Sequence, residues 1–220
     1  FTLDNTTTAV NLGTVGVTGA LSVTSGAAIT DSGVITVGGT ATFVTDVNDI
    51  DIVLDSNNAI TGAVTFTTQT SGSTNGADIT FDNGSTAISL AAFTTEGNLT
   101  LQTDAAIALT GHTVNGDLAV TSAAAISQSA ALTVSGTSSF TSTGSNSNIT
   151  LSTTSNALTG AVSASTAGSS GDVTIDNGTT ALNIGASTIR GNLTVTAGDS
   201  ITDSGVITVT GTASFTTDTS

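Results

Sequence analysis

Residues 173–220 overlay residues 1–48 without a gap, and 28 of the 48 positions are identical, so the chain repeats itself at an offset of 172 residues. Tandem self-similarity constrains the fold more than any local propensity does. A short repeated unit cannot bury its apolar face alone and must stack on its neighbours. A weaker copy opens at Ile79, where ITFDNGSTAISL matches FTLDNTTTAVNL, and divides the offset into 78 and 94 residues. The reading is one segment over 1–220 with internal repeats 1–78, 79–172 and a partial 173–220. The second repeat is longer by about one coil, marked by an additional Gly-Asp-Leu-Ala-Val unit at Gly116.

Within each repeat the recurrent signal is Gly, a small or polar residue, then alternating apolar and hydroxyl residues, as in Gly19-Ala20-Leu21-Ser22-Val23, Gly97-Asn98-Leu99-Thr100-Leu101 and Gly191-Asn192-Leu193-Thr194-Val195. A period of two means strands with one buried side. Short strands such as Ile35-Thr36-Val37 and Ile149-Thr150-Leu151 lie between Asn, Asp, Gly and Ser, the residues that turn corners. Helical spacing is absent. The expected fold is all-β, a right-handed parallel β-solenoid (β-helix) of about eleven coils of roughly 19–20 residues, forming a rod roughly 50 Å long.

Composition agrees. The chain is 37% hydrophobic and 8% charged, with no proline. A proline would remove a hydrogen-bond donor from a strand paired on both edges, and stacked coils consist of such strands. The net charge of −15 argues against nucleic acid and anionic membrane surfaces as partners. No apolar run is long enough to insert into a bilayer, and the absence of Cys excludes disulfides. The chain opens on Phe1 with no signal peptide before it, which reads as a mature or excised piece. It starts and stops in mid-pattern without the polar caps that end most solenoids, so the rod is expected to continue.

The phrases DITFDN, AITGAV, GNLTVTAGDSITDSGVITVTGTASF and NITLSTTSNALTGAV resemble the degenerate repeats of filamentous haemagglutinin-like exoproteins, large bacterial surface adhesins with β-strand repeats. The resemblance covers the whole chain. It implies a structural shaft in a secreted or surface-anchored bacterial filament, serving adhesion, a biofilm matrix or a cell-surface fibre, and therefore an extracellular location. Partners would be flanking repeats or identical copies stacked end to end, with lateral self-association into fibres.

Residues with chemical potential are few. Asp31-Ser32-Gly33 and Asp203-Ser204-Gly205 have the look of an aspartic-protease pair, but they hold one position in successive repeats. That puts them roughly 40 Å apart, whereas a dyad sharing a proton needs about 3 Å. His112 and Arg190 are the only His and Arg, too few for a triad, a zinc site or a polysaccharide lyase, and both are expected to face solvent. No catalytic residue is assigned, and the chain reads as a non-enzyme. Asp46, Asp49, Asp51 and Asp55 form the one dense acidic cluster, in TDVNDIDIVLD. Alternation puts Asp49 and Asp51 on one side, where they could share Ca²⁺, the one cofactor left open. The matching stretch after Phe140 has no acid, which favours a solvated corner. The turns Asp4-Asn5, Asp82-Asn83-Gly84 and Asp176-Asn177-Gly178 read as structural, with Asn in the left-handed region or in a stacked ladder. Thr alternation such as Thr65-Phe66-Thr67 lacks the registry of an ice-binding face.

Overall fold

The computed structural model describes residues 1–69, 71–72 and 76–218. Every regular element among these is a β-strand, paired in parallel with the strand one coil away. Ten strands lie along the main path of the largest sheet, from Val10–Leu12 to Ile201–Asp203. The chain is therefore an all-β solenoid of about 11 turns.

The period-two pattern produces the core directly. In Leu21–Ser25 alternate residues are fully buried. Stacking carries each inward position up the rod: Leu21 pairs with Ala41 and Ala41 with Val64, while Val23 pairs with Phe43 and Phe43 with Phe66. Each large aliphatic or aromatic side chain so buried contributes about 1.5–3 kcal/mol. Outward positions on the same strands include Ser22, Thr24, Thr42, Thr65 and Thr67, which suit a pleated half-buried surface.

Coil length varies more than the expected 19–20 residues. Paired positions are 19 residues apart at Leu99 and Leu118 but 27 apart at Ile52 and Ile79. Inward positions must stay in register for the core to stack, so the additional residues are accommodated in the corners between strands.

The repeat and the coil are also out of phase. In the first repeat the longer strands Thr2–Asn5, Leu21–Ser25, Ala41–Asn48 and Val64–Gln69 share one ladder. The strand opening the second repeat, Ile79–Asp82, stacks instead on the short strand Ile52–Leu54. Val173–Asp176, opening the third repeat, likewise stacks on Ile149–Leu151. Leu182–Ile184 and Ser187–Ile189 both settle on the long strand Val162–Ala167. Each repeat is thus turned by one side of the coil relative to the repeat before it. At the first junction Phe66 lies 5.8 Å from Phe43, 5.5 Å from Phe81 and 6.1 Å from Phe93, centroid to centroid.

Candidate functional site

The structure places Asp49 and Asp51 at the corner between the long strand Ala41–Asn48 and the short strand Ile52–Leu54. Asp49, Asp51 and Asp78 line an open groove of about 380 Å³ together with Gly76, Gly97, Asn98 and Gly116. Asp46 and Asp55 are exposed and do not line it. Asp46 lies within the strand Ala41–Asn48, and the Asp55 backbone N–H donates to Asp31 Oδ1 at 3.0 Å. Among the described residues no group of three or more His, Cys, Asp or Glu is arranged to hold a metal ion. Asp78 has no counterpart in the sequence-based cluster. It is distant in the chain, and only the 27-residue coil brings it beside Asp51.

The groove carboxylates already serve the backbone. Asp51 Oδ1 accepts the Asp78 N–H at 2.9 Å, and Asp78 Oδ1 accepts the Asn98 N–H at 2.7 Å. The line continues from Asn98 Oδ1 to the Asp117 N–H and from Asp117 Oδ1 to the Thr137 N–H, both at 2.7 Å. A second line runs from Asn148 through Asp172 and Asn192 to Thr212, with distances of 2.9, 2.7 and 2.9 Å. One side-chain oxygen per coil thus satisfies a backbone donor in the next coil, at corners where strand pairing lapses.

At every link but the first, where Ala77 precedes Asp78, the residue before the donor is a glycine. A Cβ on Gly116 would lie 2.5 Å from Asn98 Oδ1 and 2.7 Å from the Gly97 carbonyl. The same collision with an Asx oxygen would occur at Gly97, Gly136, Gly191 and Gly211. At Gly97, Gly116 and Gly191 the Gly-x-Leu signal is therefore a glycine that leaves room for the oxygen of the coil below, followed by the residue that supplies the next oxygen.

The Asp-Asn turns behave differently from the expected left-handed asparagines. The positive φ belongs to Gly84 (51°) and Gly178 (58°). Asn83 and Asn177 are fully buried, and their amides pair with the coil below as a strand would. The Ile60 N–H donates to Asn83 Oδ1 at 2.9 Å, and Asn83 Nδ2 donates to the Ile60 carbonyl at 3.0 Å. Leu158 and Asn177 repeat this at 2.8 and 3.1 Å. These amides terminate the side of the coil that each junction discontinues. Beside Asn83, the buried Asp82 carboxyl is pushed up from the usual carboxylate range, chiefly by burial and further by Asp104, Asp31 and Asp55. Its hydrogen bond from the Gly84 N–H opposes that shift.

The Asp-Ser-Gly triplet also has a structural partner. Asp31 Oδ2 accepts from Asn58 Nδ2 at 2.7 Å, and Asn58 Oδ1 in turn accepts the Ile35 N–H at 2.8 Å. In the second repeat Gln128 takes the place of Asp31, exchanging hydrogen bonds with Asn156 at 2.8 and 2.9 Å. Asn156 Oδ1 then accepts the Leu132 N–H at 2.8 Å. Arg190 is exposed, as expected. His112 is not: it is 1% exposed, packed 4.7 Å from the Phe93 ring, and its Nδ1 has no hydrogen-bond partner among the described residues. Burial lowers its pKa to about 4. The residue before it, Gly111, has a left-handed backbone at φ 80°.

The fold and its corner chemistry define a parallel β-solenoid repeat protein. A model of the family described as repeats of unknown function (DUF5649) matches residues 1–67, 96–165 and 170–220, and the chain belongs to that family. No curated protein and no solved structure matches the chain.

Proposed function

We propose that the chain is a shaft segment of a bacterial extracellular filament or adhesin of the filamentous haemagglutinin-like kind, and that its role is structural rather than catalytic. The observation that carries this reading is the continuity of the ladder. Strand stacking runs through both repeat junctions, and side-chain amides satisfy the backbone where one side of the coil ends. Such a rod transmits load through hydrogen bonds that lie along its axis and through a stacked apolar core. The chemically distinctive groups, Asp31, Asp51, Asp78, Asn83 and Asn177, are all engaged in holding coil to coil. Flanking repeats are the natural axial partners. A high negative charge keeps rods apart laterally unless counterions or neutral Ser/Thr faces intervene.

Negative-stain microscopy of the full-length protein and immunogold labelling of intact source cells test the proposal. Rods growing by roughly 50 Å per segment of this size, with gold on external fibres, are the expected result. Label confined to the cell interior would refute it.

A further inference from the structure

An asparagine followed by glycine is open to attack on its own side-chain amide, because the next nitrogen belongs to a residue with no Cβ to shield it. The chain holds four such pairs. Asn75 lies outside the described residues. The other three, at Asn83, Asn115 and Asn177, share the same two reacting residues and sit in different surroundings.

Two of them are sealed. Asn83 and Asn177 are fully buried, and each side-chain oxygen accepts a backbone N–H of the coil below, from Ile60 and Leu158. Each Nδ2 is tied to two carbonyls: Ile60 and Ala87 at 3.0 and 3.1 Å, and Leu158 and Ala181 at 3.1 and 2.7 Å. The attacking nitrogens are engaged as well. The Gly84 N–H donates to Asp82 Oδ1 at 2.8 Å, and the Gly178 N–H to Asp176 Oδ1 at 2.9 Å. Cyclisation at either junction has to disrupt all of these bonds at a position closed to water.

Asn115 is different. It belongs to the additional coil of the second repeat and is exposed. Its Nδ2 donates to Glu96 Oε2 at 2.6 Å, an exposed contact, and Gly116 lines the open groove beside Asp78 and Asn98. The attacking nitrogen is held by a ladder bond from the Gly116 N–H to the Gly97 carbonyl at 3.1 Å.

We propose that Asn115–Gly116 is a self-modification site of the folded rod, and that the fold silences the same chemistry at the two junctions. The Gly116 nitrogen gives up its proton to solvent hydroxide and attacks Asn115 Cγ. The N–Cγ bond forms, the Cγ–Nδ2 bond breaks, and Nδ2 takes a proton from water and leaves as ammonia. Water then opens the cyclic imide at either carbonyl, leaving aspartate or isoaspartate at position 115. Either product sets a carboxylate against Glu96 where Asn115 had donated, so an attraction becomes a repulsion. Isoaspartate also routes the main chain through an additional carbon between two ladder donors, the Asn115 N–H on Thr95 and the Gly116 N–H on Gly97. Ageing therefore loosens one corner of the additional coil and spares the junctions.

The test is site-by-site peptide mass mapping of the chain after incubation at mildly alkaline pH, folded and in concentrated urea, with isoaspartate distinguished by fragmentation. In the folded chain Asn115 is expected to convert at least about tenfold faster than Asn83 or Asn177, a gap set by the local opening that each site requires. In urea the three rates should converge. Amide exchange in the aged folded chain should quicken at Gly116 and stay slow at Ile60 and Leu158. Asn115→Ser, which installs the residue that Ser135 supplies one coil on, should keep the ladder and abolish this ageing. Folded-state conversion at Asn115 no faster than at the junctions, or junction asparagines converting as fast folded as in urea, would overturn the proposal. Equal loosening at Gly116 in the aged Asn115→Ser chain would overturn the structural consequence.

Discussion

The corner at Asp49 and Asp51 in the first repeat has a counterpart at Asn146 and Asn148 in the second. Asp49 and Asn146 share a left-handed backbone, φ 60° and 61°, and each uses its side-chain oxygen to accept a serine N–H, from Ser71 at 3.3 Å and Ser169 at 2.9 Å. Asp51 and Asn148 accept the N–H groups of Asp78 and Asp172, both at 2.9 Å. Geometry is conserved between the two repeats while the charge is not. What the corner needs is a short side chain with an acceptor oxygen, which Asp and Asn supply equally. The acidic cluster that suggested Ca²⁺ is thus built to the same plan as a corner with no acid in it. The second repeat differs more in its buried His112.

The strongest challenge to this equivalence is at the junctions. Asn83→Ala and Asn177→Ala each strand a buried N–H and a buried carbonyl, so each is expected to cost about 2–5 kcal/mol in denaturant unfolding. Similar losses would show that the two junctions are the same device. A negligible loss at either would break the parallel.

His112 should give the second repeat a pH dependence of its own. The folded ring stays neutral down to about pH 4, while the unfolded ring takes up a proton near its ordinary value of 6.5. Stability is therefore full above about pH 6.5, declines as pH falls towards 4, and is lower by about 3 kcal/mol beyond that. His112→Leu should flatten this step in a pH series of unfolding curves. An unchanged step would assign the dependence to carboxylates instead.

Gly116→Ala should cost about 1–3 kcal/mol, because the new methyl group meets the Asn98 oxygen and the Gly97 carbonyl. Pairing it with Asn98→Ala removes one of the two collisions, and the double-mutant cycle should show partial recovery. Strict additivity would mean that the glycine answers only to the backbone.

The smallest expected effect is the most direct test of charge against geometry. Asp49→Asn and Asp51→Asn should each leave stability within about 0.5 kcal/mol, since the accepting oxygen is kept. Chelator should not move the thermal midpoint. A marked drop in chelator that the Asn variants abolish would restore a Ca²⁺ site.

Much of this fold was legible in the sequence because its causes are local. Alternation in Leu21-Ser22-Val23 sets which side chains enter the core, and the recurring Gly-x-Leu marks the corners. Repetition then makes stacking the only way to bury those faces. The role of Asn83 was half legible: the turn was recognised, but the residue two coil edges away that it serves was not. Nor did the lone His112 carry any pattern that would betray a buried ring.

The sequence by itself determined a parallel stack of strands, its repeat boundaries and the residue types at its corners. Only the tertiary structure decided the partners. Coil advances of 19 to 27 residues, and a turn of one side at each junction, set which oxygen meets which N–H. That register is a sum over unequal corners, fixed by simultaneous packing of the whole core and not by any segment alone.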